Sequence, residues 1–227
     1  MSSKLKQYYI NLNLFINKHE IIHNLIYTKY KLSDKKNISR GFLFSIILLS
    51  VYNLNKSELI KSTNIYYFVI CVDLILYSIK HDELQENYTI IMLLFTLSFK
   101  HIDNDTDFIL YEKSIIDFLN NTIINKVDKE NAYYSFCSLS FILMTKLILK
   151  KEIYQNEYKI IKKCGECLGY IFLYYEKIID DYQVYMNNKI EFYEMIYKLN
   201  LMTETAELIL NNINTKISKD INNHIKV

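Results

Sequence analysis

Proline and tryptophan are absent from these 227 residues, glycine occurs three times, and the single arginine stands at position 40. Absence of proline removes the strongest helix breaker. No sign of charge dominates: the formal net charge is +2 and the lysines are scattered, which argues against a nucleic-acid partner. The uncharged runs from Gly41 up to Lys56 and from Asn87 to Phe99 fall short of the roughly 20 apolar residues of a spanning helix. The start, Met1-Ser2-Ser3-Lys4-Leu5-Lys6, lacks the apolar core and cleavage site of a signal peptide. Four cysteines without regular spacing fit a reduced, cytoplasmic protein rather than a disulfide framework.

What is present is Ile, Leu, Asn, Lys, Tyr, Phe and Ser, a palette expected from drift toward A- and T-rich codons. Hydrophobic residues make up 51% and are spread along the whole chain, so a folded, soluble core is expected. Period-two alternation is hard to find, and the pattern predicts helices at about 5–30, 39–53, 57–81, 88–100, 106–125, 131–151, 155–182, 186–200 and 202–218. Ser57, Asp105 and Thr203 offer caps. Helices at 39–53, 57–81, 131–151 and 155–182 are apolar over most of their faces and belong inside a bundle. With no linker and no repeat, one all-α domain spanning 1–227 is the expected architecture.

The residues that resist the drift gather in two segments, Ser39-Arg40-Gly41 and Gly165-Glu166-Cys167-Leu168-Gly169. In the first, Lys35, Lys36 and Arg40 flank the start of an apolar helix, where free N–H groups and the helix dipole suit an anion such as diphosphate. In the second, Gly165 and Gly169 lie one turn apart. Each glycine costs about 1 kcal/mol against alanine inside a helix, so the pair calls for a close helix crossing or a ligand. Between these segments, Asp82, Glu83 and Glu86 close a long apolar helix; Asp82 and Glu86, four apart, would share a helix face and could hold Mg²⁺. Glu176 and Asp180 repeat that spacing after the glycines. Read singly, each cluster also fits a solvated helix end or a tight crossing.

Taken in order, the three clusters resemble the trans-polyprenyl diphosphate synthases over about residues 30 to 185. Ser39-Arg40-Gly41-Phe42-Leu43 is similar to the end of that family's basic segment. Tyr77-Ser78-Ile79-Lys80-His81-Asp82-Glu83-Leu84 is similar to its first aspartate-rich motif. Gly165 to Asp180 is similar to its second. The resemblance implies an isoprenoid-synthase-like helical bundle, a dimer, and an allylic diphosphate. It makes Asp82, Glu83, Glu86, Glu176 and Asp180 the Mg²⁺ ligands, and Lys36 and Arg40 the diphosphate contacts.

Departures from the family pattern are pointed. Lys177 occupies a metal-binding aspartate's place, Leu173 replaces a glutamine, and the arginines after the first motif are missing. An ammonium beside a metal site opposes the cation. The expectation is therefore an eroded relative, non-catalytic or weakly active, that serves as a regulatory or subunit-like protein in a homodimer or heterodimer. An active Mg²⁺-dependent prenyltransferase or terpene-synthase-type enzyme and a ligand-free helical interaction protein are the competing readings. Cys164 and Cys167 are expected to pack as small hydrophobes rather than as half a zinc site. His19-Glu20-Ile21-Ile22-His23 fits a metalloprotease string without supporting pattern downstream.

Overall fold

A computed structural model describes residues 39–52, 54, 62–100, 105–125, 128–149, 153, 155–180 and 189–225. Among them every regular element is an α-helix, as the pattern predicts: α1 (Arg40–Val51), α2 (Thr63–His81), α3 (Leu84–Phe99), α4 (Asp105–Ile124), α5 (Lys129–Leu149), α6 (Gln155–Asp180) and α7 (Lys189–Ile225). The helix expected at 5–30, Lys36 and the His19–His23 string lie outside the described residues. The helices group into two compact units, one of residues 1–126 and 144–150 and the other of residues 127–143 and 151–227, so the division falls within α5 as well as between helices.

The first unit is organised around α2. Ser62 caps this helix by accepting the Ile65 N–H at 3.3 Å. Every residue from Phe68 to Leu76 is buried, which is possible only for a helix covered on all sides. Helices α1 and α3 pack on it, and α4 packs on α3. Aromatic contacts join these layers: Phe68 meets Phe99 edge-on at 5.3 Å and 86°, and Phe99 meets Tyr111 tilted at 5.7 Å. The end of α5 closes this cluster, where the Lys146 ammonium donates to the Tyr111 hydroxyl at 2.8 Å and lies over its ring.

Helices α2 and α5 are long and apolar enough to cross a membrane by length and composition, which counting uncharged runs had missed. In this fold, 72% and 67% of their most apolar stretches are buried within the protein, as core helices are.

In the second unit, α7 packs on α6. The break expected between 200 and 202 does not occur, and α7 runs unbroken for 37 residues. Thr203, expected to cap a new helix, instead donates its hydroxyl to the Leu199 carbonyl one turn back, and Thr205 does the same to Leu201. Threonine satisfied in this way continues a helix.

Candidate functional site

The basic segment enters α1 through Ser39, whose hydroxyl oxygen accepts the Phe42 N–H at 3.2 Å. That hydroxyl in turn donates to Asp73 Oδ2 at 2.5 Å, and the Gly41 N–H donates to Asp73 Oδ1 at 3.0 Å. Asp73 comes from the middle of α2 and is buried. The anion position at the α1 N-terminus, expected to receive diphosphate, is thus filled by the protein's own carboxylate. Gly41 has a packing reason: a Cβ there would meet the Val69 carbonyl oxygen at 2.6 Å. Arg40 is the first residue of α1 and is half-buried. Asp73 escaped the sequence reading, although a lone carboxylate in a buried apolar run was the available signal.

Asp82 and Glu86 do not share a helix face. Helix α2 ends at His81, Asp82 adopts the left-handed conformation (φ 60°, ψ 29°), and α3 begins at Leu84. Asp82 is the one non-glycine residue with positive φ among the described residues, and short polar side chains tolerate that region best. Its N–H and that of Glu83 both reach the Ser78 carbonyl, the latter at 2.9 Å, closing the helix end. The Ser78 hydroxyl accepts from buried Asn87 at 2.9 Å, which ties α3 to α2. Around this joint Asp82 and Glu86 are exposed and Glu83 is half-buried. Glu86 lies in the first turn of α3, where a negative charge suits the dipole. Burial, followed by the charge of Glu83, pushes the Tyr77 phenol up.

The glycine segment is a helix crossing. A Cβ at Gly165 would stand 2.8 Å from Ser138 Cα and 2.9 Å from the Cys137 carbonyl; one at Gly169 would stand 2.9 Å from Cys137 Cβ. Glycine lets the α5 and α6 backbones approach to this distance, and the Ser138 hydroxyl stitches them by donating to the Lys162 carbonyl at 3.1 Å. One turn further, Tyr134 stacks on Tyr170 at 4.1 Å and 17°. Lys177 then forms an ion pair with Glu130, which also accepts from the Tyr134 hydroxyl. Glu176 accepts from the Tyr133 hydroxyl at 3.3 Å. Burial, with Glu130 adding to it, raises the Tyr134 phenol. The backbone of Asp180 ends α6, and its side chain lies outside the described set.

The five carboxylates nominated for metal are divided between the units, with Asp82, Glu83 and Glu86 in the first and Glu176 and Asp180 in the second. Among the described residues, no three His, Cys, Asp or Glu side chains gather to hold a metal ion. Cys164 and Cys167 are buried and unbridged, as expected of small packing residues. Burial, with Cys167 adding to it, pushes the Cys164 thiol up to about 12. Comparison of the chain with protein-family models, curated proteins and solved structures found no match.

Proposed function

We propose that this chain is a non-catalytic helical protein that works by binding protein, as a subunit-like relative of polyprenyl synthases would. One observation carries the reading: the helix N-terminus that diphosphate chemistry would draw on, and the lysine that stands in a metal-binding place, are both engaged in packing helices. The α1 N-terminus binds Asp73, and Lys177 is paired with Glu130. Catalysis of diphosphate departure rests on preorganised donors and cations, each worth about 10²–10³ in rate. Donors committed to the fold do not supply that stabilisation.

The opposing reading, an active Mg²⁺-dependent prenyltransferase or terpene-synthase-type enzyme, draws on the Asp82–Glu86 joint, where two of three neighbouring carboxylates face water. Purified protein with labelled isopentenyl diphosphate, an allylic diphosphate and Mg²⁺ separates the two. The control is Asp82→Asn, because asparagine also tolerates the left-handed backbone at this joint whereas alanine would disturb folding. The expected result is no product above the protein-free blank. Turnover in the natural chain that disappears in Asp82→Asn would overturn the proposal.

A further inference from the structure

Helix α7 carries two apolar faces, of which α6 covers one. Met195 and Ala206 are buried on the covered face. On the other side Ile190, Tyr193, Tyr197, Leu201 and Leu208 are between 43% and 75% exposed. Their spacing of three, four, four and seven residues returns each to the same side of a helix with 3.6 residues per turn. These five exposed apolar side chains form one stripe. Such a patch signals a binding surface rather than scattered surface hydrophobics.

We infer that a second copy of this chain occupies the stripe, antiparallel, about a two-fold axis between residues 195 and 196 of α7. Three features support that occupant. Glu204 interrupts the stripe between Leu201 and Leu208, so the continuous apolar stretch runs from Ile190 to Leu201 and is centred on that axis. An antiparallel copy there sets Ile190 against Leu201 of the partner subunit and gathers Tyr193 and Tyr197 of both copies around the axis. Exposed Glu194 and Lys198 share one edge of the stripe, four residues apart. The same register brings Glu194 against Lys198 of the partner subunit, twice by symmetry. The edge is therefore self-complementary in charge only when the helices run in opposite directions.

Area sets the strength. Four side chains of this size, largely exposed, offer roughly 500 Å² per copy, or about 1,000 Å² for the pair, at the lower end of specific interfaces. That corresponds to a reversible dimer in the micromolar range. An anionic bilayer is a poorer occupant, because exposed Glu194, Glu204 and Glu207 outnumber Lys198 along the stripe. Self-association stands whether or not the chain turns over diphosphates, since the one is read by mass in solution and the other by labelled product.

The test is sedimentation velocity of the full chain through the micromolar range, with variants checked for retained helical circular dichroism. The natural chain is expected to shift from monomer to dimer with rising concentration. Leu201→Lys, on the solvent side, is expected to stay monomeric. Glu194→Lys and Lys198→Glu are each expected to weaken the dimer about tenfold, and the double exchange to restore it. A chain that stays monomeric throughout overturns the inference. So does a dimer indifferent to Leu201→Lys, which must form elsewhere, or single exchanges that the double exchange does not rescue.

Discussion

The backbone N–H of Gly41 donates to the buried carboxylate of Asp73, 32 residues away and on the next helix, at 3.0 Å. Without a side chain at 41 the start of α1 can sit against the Val69 backbone, one turn before Asp73 on α2. Asp73→Ala would remove the carboxylate that accepts from the Gly41 N–H and the Ser39 hydroxyl in the core. Hydrogen bonds to a charged group are each worth about 1.5–3 kcal/mol, so a loss of about 3 kcal/mol is expected in urea unfolding. If α1 instead bound diphosphate, Asp73→Ala would strengthen anion binding. No such gain is expected by calorimetry.

At the α5–α6 crossing, alanine improves intrinsic helix propensity by about 1 kcal/mol yet is expected to destabilise. The new Cβ at Gly165 meets backbone atoms at 2.8 and 2.9 Å, which cannot turn aside as a flexible side-chain end would. Gly165→Ala is therefore expected to lose about 1–3 kcal/mol net, within the range of overpacked cores. Gly169→Ala meets its nearest atom, Cys137 Cβ, at 2.9 Å, and a loss is expected there too. Thermal unfolding of both variants gives the sign directly, and a rise in Tm at either would contradict the close crossing.

Lys177 is the residue that most clearly departs from an acidic motif, and its partner explains it. Lys177→Asp would introduce the carboxylate that the resembled polyprenyl synthase motif has at this place but set it against Glu130. Both side chains are more than a third exposed, so the pair contributes no more than about 1 kcal/mol, and the like-charge replacement costs a similar amount. The expected outcome is a slightly less stable protein with no gain of prenyl transfer. Adding Glu130→Lys should recover the stability, because the pair then stands reversed.

Alkaline pH should unfold the protein. Cys164 ionises at about 12 in the folded chain against an ordinary 9.0, because burial penalises the thiolate. Below about 9 both states hold the proton and the stabilisation is complete; above it the unfolded chain loses the proton first, and stability falls through about 12. Burial raises Cys71 and Tyr66 in the same direction. Tm is expected to hold near neutral pH and then decline steadily above about 9, with a shallower decline in Cys164→Ala. A thiol reagent at mildly alkaline pH should label the protein only after denaturant is added.

Legibility differed by element. Helix existence was plain because buried and amphipathic helices leave long apolar patterns without proline, and α1, α4, α5 and α6 begin and end within about two residues of expectation. The start of α3 was placed four residues late, and the break in α7 was a false one. Both errors came from polar residues whose roles depend on where their hydrogen bonds go: Asp82 closes a helix in the left-handed region, whereas Thr203 bonds back along one.

Composition and periodicity by themselves determined that the chain is all-α with its most apolar helices, α1, α2, α5 and α6, inside a bundle, and that the rare glycines mark places where something specific is needed. They did so because burial and helix geometry are written in local residue order. Only tertiary structure decided what approaches: the Val69 backbone at Gly41, and α5 at Gly165 and Gly169. It likewise decided that Asp73 binds the start of α1 and that Lys177 answers Glu130. A carboxylate or an ammonium has the same local sequence signature whether it meets a metal, a phosphate or another side chain. The choice is made by groups 32 or 47 residues away, which no local pattern specifies.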